Sequence, residues 1–153
     1  MTNILFFDTE TTGLIPEENF QFEKILNYPK LVQLSASLYS EVGEWLKTIN
    51  YIIIPNNFEI NNSSIHGIST DIANSSGREL EFVLQEFKSM CEKANLLVCH
   101  NYGFDSAIIK SELRRNNNYD FVSSIATFCT MTESSSLTKS ISLKNLHKSL
   151  FNT

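Results

Sequence analysis

The chain has 153 residues, of which 42% are hydrophobic and 19% charged, with a formal net charge of −5, values that fit one folded domain and exclude a disordered polymer. No apolar run approaches the roughly 20 residues needed to cross a bilayer, and Met1 to Phe7 lacks a basic segment and meets Asp8 too early for a signal peptide, so the expected location is cytoplasmic, with no membrane partner. The negative balance argues against a protein that grips nucleic acid by broad phosphate neutralisation, but not against an acidic site that touches a few nucleotides through bound divalent ions.

Asn3 to Asp8 is a short apolar run ending in a carboxylate and reads as a buried first strand. Leu14 to Lys30 carries Pro16, Pro29 and several charges, and reads as a loop with a helical turn. Leu31 to Tyr39 is the second strand, Glu41 to Glu44 a hairpin turn, and Trp45 to Ile54 the third strand, ended by Pro55 and the Asn pairs. Ile65 to Ala73 is a short irregular or helical segment. From Glu79 to Lys93, Leu80, Val83, Leu84, Phe87, Met90 and Cys91 form one apolar helical stripe. Leu96 to Cys99 is a wholly apolar central strand. A helix then begins near Gly103 with Phe104, Ala107, Ile108 and Leu113 inward, Val122 to Ala126 is the fifth strand, and Leu143, Leu146 and Leu150 stripe a last short helix. The order implies an α/β fold: a mixed five-stranded sheet, antiparallel in strands one to three and parallel in strands four and five, flanked by helices. Residues 1–153 form a single domain. Cys91, Cys99 and Cys129 are odd in number and lack close pair spacing, so they read as reduced core thiols.

Two short stretches carry chemistry. In Asp8-Thr9-Glu10-Thr11-Thr12-Gly13-Leu14, the two acids are two residues apart on a strand and share a face. Their repulsion at about 4 Å is roughly 1 kcal/mol in water and about 4 at an effective dielectric of 20. A hard cation such as Mg²⁺ or Mn²⁺ relieves it, and Gly13 allows close backbone approach to a ligand. On spacing alone, two acids facing water explain the pair at least as well. In Cys99-His100-Asn101-Tyr102-Gly103-Phe104-Asp105, the chain leaves a central strand and enters a helix. Asp105 in the first turn suits the helix dipole, but the end of such a strand is also where α/β sheets present active sites.

Together these stretches resemble a known family. Phe7 to Leu14 is similar to the first motif of the DnaQ-like (DEDDh) 3′→5′ exonucleases, and His100 to Asp105, with its His-Asn and Phe-Asp pairs, to their second. Ile65-His66-Gly67-Ile68-Ser69 resembles their intervening His-Gly-Ile-Thr segment. The resemblance implies an RNase H-like fold and a two-metal Mg²⁺ or Mn²⁺ site that releases nucleoside monophosphates from single-stranded DNA or RNA 3′ ends. It further implies that Asp8, Glu10 and Asp105 are catalytic metal ligands, that Thr11 and Leu14 line the terminal nucleotide's pocket, and that His66 and Gly67 touch the same nucleotide. Asn101 either holds its loop or touches substrate. A DNA polymerase is a candidate partner in a proofreading or repair role. The alternative is a catalytically impaired 3′-end or nucleotide-binding module.

The family's third motif, a His followed five residues later by an Asp, has no counterpart after Asp105, and the last Asp is Asp120. His147 reads as a helix histidine at the edge of the core, and His100 as packed under its loop. Truncation before the last catalytic helix is the favoured explanation, ahead of a natural short form and of a partner that supplies the missing helix.

Overall fold

A computed structural model describes residues 2–16, 22–136 and 142–152, without the side chains of Phe22 and Glu23. The first strand, β1 (Asn3–Thr11), alternates strictly: Leu5, Phe7, Thr9 and Thr11 are buried, while Phe6 and Asp8 are exposed and Glu10 is partly covered. That period of two is what a strand in a sheet with one packed face requires. A 3-10 turn (Phe22–Asn27) precedes β2 (Leu31–Ser40), which is joined to β3 (Trp45–Ile52) by a tight turn with Gly43 at φ 82°. Two short helices follow, α1 (Ser63–His66) and α2 (Thr70–Ser76), then α3 (Leu80–Cys91), β4 (Leu96–Cys99), α4 (Tyr102–Arg115), β5 (Ala126–Cys129), α5 (Thr130–Glu133) and α6 (Leu143–Phe151).

The strands form one sheet in the order β3-β2-β1-β4-β5. β1 pairs antiparallel with β2, and β2 with β3, while β1–β4 and β4–β5 are parallel. This is the expected mixed five-stranded RNase H-like sheet. Helices α3 and α4 cover one face, burying Val83, Leu84, Phe87, Ile108 and Ile109 against Leu5, Phe7, Leu34 and Leu97. Phe87 sits at the centre, its ring 5.3 Å from that of Phe7 and 6.2 Å from that of Phe121. Leaving β4, the chain enters α4 through Asn101 at φ 78°, a left-handed turn that Asn adopts more readily than most residues. Both β1 and α4 are thereby anchored in the same core.

Three expectations are corrected. The fifth strand is not Val122 to Ala126 but Ala126–Cys129. Asp120 accepts hydrogen bonds from the Val122 and Ser123 N–H groups at 3.0 and 3.1 Å, an Asx turn that takes this backbone out of the ladder. Val122 is buried at the turn and not on a strand. On α6 only Leu146 of the expected stripe is buried; Leu143 and Leu150 are at least half exposed. His147 lies on the exposed side of the same helix, with its ring 4.9 Å from Phe151.

Candidate active site

Asp8 lies on the side of β1 away from α3 and α4, opposite Ser35 of β2. Asp105 lies in the first turn of α4 and is 3% exposed. The two meet because α4 starts directly after β4, the parallel neighbour of β1. Asp8, Cys99 and Asp105 each bring one polar atom within 4.8 Å of the other two. Glu10 stands outside that cluster, yet near enough to Asp8 to feel its charge. Between Glu10 and Thr11 the β1–β2 register shifts, and such bulges commonly re-aim side chains beside sites.

One oxygen of Asp105 is held twice by the same residue. Thr9 donates its backbone N–H at 3.0 Å and its hydroxyl at 2.6 Å to Asp105 Oδ1. The Cys99 thiol also bonds to Asp105. Burial pushes the Asp105 carboxyl up from 3.8 to about 6, against the lowering effect of these hydrogen bonds, with a smaller upward push from Asp8. Asp8 is raised as well, first by loss of water around its carboxyl, and is partly relieved by the Thr9 N–H and the charge of His100. Glu10 is raised by burial and then by Asp8, with His66 opposing. Three neighbouring acids are thus all disfavoured as anions, which a divalent cation reverses. The donor set is carboxylate oxygen, matching Mg²⁺ or Mn²⁺; the Cys99 thiol is raised by burial and suits such an ion poorly.

An open groove of about 440 Å³ runs from Asp8 along the sheet face opposite α3 and α4, lined also by Phe6, Ser35, Ser37, Val98, His100 and Leu143. His100 is half-buried on this groove, not packed away beneath the loop, and its Nδ1 lies 2.9 Å from Thr130 Oγ1. Beyond β1, Thr11 is buried and its hydroxyl donates to the Gly13 carbonyl at 2.6 Å, closing a small elbow. Leu14 projects from that elbow, 83% exposed, and no protein atom lies within 4 Å of where a Gly13 Cβ would stand. His66 is partly buried at the end of α1, Gly67 follows at φ 78°, and Asn101 is exposed. The structure therefore brings Asp8 and Asp105 together with Glu10 adjacent, and leaves Leu14, Gly67 and Asn101 on the surface.

Thr9, Cys99 and Asn62 were not singled out from sequence as site residues. Thr9 carried a signal: it is a polar residue at a buried position of a strand, between two acids, and such a group needs a partner. Cys99 read only as a core thiol. Asn62 donates to the Thr11 carbonyl at 2.8 Å, a contact across 51 residues that no local pattern encodes.

Residues 5–152 match the family model described as Exonuclease, RNase_T. Among solved structures, the chain is similar to E. coli Exonuclease I in complex with a dT13 oligonucleotide, at 16% identity and a TM-score of 0.76, covering 97% of this chain and 36% of that one. A product-bound structure of exonuclease I gives 16% identity and a TM-score of 0.77, covering 97% and 38%. The apo form gives 15% identity and 0.77, covering 97% and 37%. The chain thus spans little more than a third of the length of these proteins, and the likeness is one of fold. No curated protein matches it. Among the described residues, no helix is long and apolar enough to cross a membrane.

Proposed function

We propose, because this chain belongs to the exonuclease family, that it is a DnaQ-like, metal-dependent 3′→5′ exonuclease domain acting on single-stranded 3′ ends. The carrying observation is the convergence of Asp8 and Asp105 from separate elements onto one point, with Glu10 alongside. In this reading Asp8, Glu10 and Asp105 hold Mg²⁺ or Mn²⁺. When bound, such ions supply a nucleophilic water and stabilise the attacking and leaving oxygens of an in-line displacement. The chain's own residues do the rest. Thr9 fixes Asp105 through Oδ1, with the Cys99 thiol beside it. Leu14, exposed at the elbow, packs on the terminal base, and the Thr11–Gly13 closure sets its direction. His66, Gly67 and Asn101 flank the same end of the substrate. The capture of E. coli Exonuclease I with a dT13 oligonucleotide supports single-stranded DNA as the first substrate to try.

The second reading is a 3′-end binding module with impaired turnover, which would hold a 3′ end at the same acids without shortening it. A 5′-labelled oligonucleotide, as DNA and as RNA, incubated with Mn²⁺ and run on a denaturing gel separates the two. Stepwise shortening from a free 3′ end, blocked by a 3′-phosphate, is expected of the enzyme. Binding without shortening identifies the module, and neither binding nor shortening would sink both.

A further inference from the structure

His66 makes two hydrogen bonds within the protein. The Ile68 N–H lies 3.2 Å from His66 Nδ1, and His66 Nε2 lies 3.3 Å from Asn62 Oδ1. Because a peptide N–H can only donate, Nδ1 must be the accepting nitrogen, and the proton of the neutral ring resides on Nε2. Nε2–H then donates to Asn62 Oδ1. With its oxygen occupied, the Asn62 amide turns its NH₂ outward, where it donates to the Thr11 carbonyl at 2.8 Å. The result is a directed chain from Ile68 through His66 and Asn62 to Thr11.

Both ends of this chain are firm. Gly67, at φ 78°, caps α1 and folds the backbone back so that the Ile68 N–H faces the imidazole, and Ile68 itself is buried with Val32, Ile60 and Ala73. At the other end, Thr11 stands just past the register shift at Glu10/Thr11. There the β1–β2 ladder shifts register before it resumes at Thr11 and Leu31, and a side-chain donor on the Thr11 carbonyl helps to set the strand's course. Glu10 precedes that carbonyl by one residue, and the Gly13–Leu14 elbow follows it.

We propose that Asn62 is a positioning residue for the substrate end of β1, and that His66 acts on the terminal nucleotide through Asn62 rather than by touching it with a ring nitrogen. This rests on the exonuclease reading above and deepens it. Since the anchored carbonyl leads into the Gly13–Leu14 elbow that the reading above assigns to the terminal base, the loss of Asn62 weakens substrate binding more than the chemical step.

Mn²⁺-dependent trimming of a single-stranded oligonucleotide by the full chain gives the kinetic test. Asn62→Ala raises KM by about tenfold with kcat changed by no more than about twofold, the signature of lost uniform binding. His66→Ala raises KM less, and the double variant is no worse than Asn62→Ala, because one residue works through the other. Long-range ¹H–¹⁵N spectra of the wild type, which need neither turnover nor a variant, place the His66 proton on Nε2. A proton on Nδ1, additive effects of the two substitutions, or an unchanged KM in Asn62→Ala beside an active wild type would each overturn the assignment. A wild type that neither binds nor trims the oligonucleotide fails the exonuclease reading itself, and the positioning role falls with it.

Discussion

Asp105→Asn should stabilise the metal-free protein at neutral and alkaline pH. The carboxyl is buried and raised from 3.8 to about 6, so the folded state holds its proton where the unfolded state has released it. Between those values the unfolded chain binds fewer protons than the folded one, and stability falls as pH rises. At about pH 4 the native group is neutral and costs nothing. The penalty grows through pH 6 and then levels off near 3 kcal/mol, taking about two pH units at ~1.4 kcal/mol each. Asn is nearly the same shape, and its Oδ1 can keep both donations from Thr9. Its NH₂ also replaces one of two adjacent negative charges. For a domain of this size, 3 kcal/mol corresponds to about 6 to 12 °C in Tm. Thermal melts of wild type and variant in EDTA, from pH 4 to pH 8, should therefore coincide at the acid end and separate by that amount at the alkaline end. Saturating Mn²⁺ should raise the wild-type Tm and leave the variant's unchanged. A variant less stable than wild type at pH 8 in EDTA would refute the claim that burial and crowding of this acid cost stability.

Thr9→Val keeps the volume but removes the hydroxyl from Asp105 Oδ1; the cost should be about 1 to 3 kcal/mol at pH 8 and smaller at pH 4, where the acceptor is neutral, as read from the same melts. Arg115, buried with Glu112 at 2.9 Å, also donates to the carbonyls of Ile25, Tyr28 and Pro29. Arg115→Ala strands the Glu112 charge and should cost about 3 to 5 kcal/mol in urea unfolding. Cys129 is pushed up by burial, but the Thr132 hydroxyl, at 3.3 Å, and the N–H groups of Thr132, Tyr102 and Asn101 more than offset this and bring it down to about 7. Its alkylation rate should therefore rise through pH 7 as thiolate forms, while Cys91 and Cys99, buried and raised, stay unmodified; peptide mass spectrometry distinguishes the three.

Much of the fold was legible because periodicity reports burial. The alternation in β1, the apolar run of β4 and the helical stripe of α3 each point to one structure, and the connections between strands point to an antiparallel first half and a parallel second half. The fifth strand was misplaced because Val122 to Ala126 has strand composition, while a single carboxylate, Asp120, claims its N–H groups for a turn. Composition does not weigh a local cap against a ladder. The acids of the candidate site stand out in their motifs, but their surroundings do not. Thr9 reaches Asp105 across 96 residues and Asn62 reaches Thr11 across 51, so both contacts depend on tertiary placement. Leu143 and Leu150 show the converse: a clean apolar stripe states where a helix is amphipathic, not what each position meets.

The central claim is that Asp8, Glu10 and Asp105 form a divalent-cation site. Titration calorimetry of Mn²⁺ into the wild type and into Asp8→Ala tests it without requiring turnover. Saturable Mn²⁺ binding by the wild type is expected, tightening as pH rises from 5 to 8 while Asp105, raised to about 6, ionises, and its loss is expected in Asp8→Ala. Equal Mn²⁺ uptake by both proteins, or none by either, would contradict it.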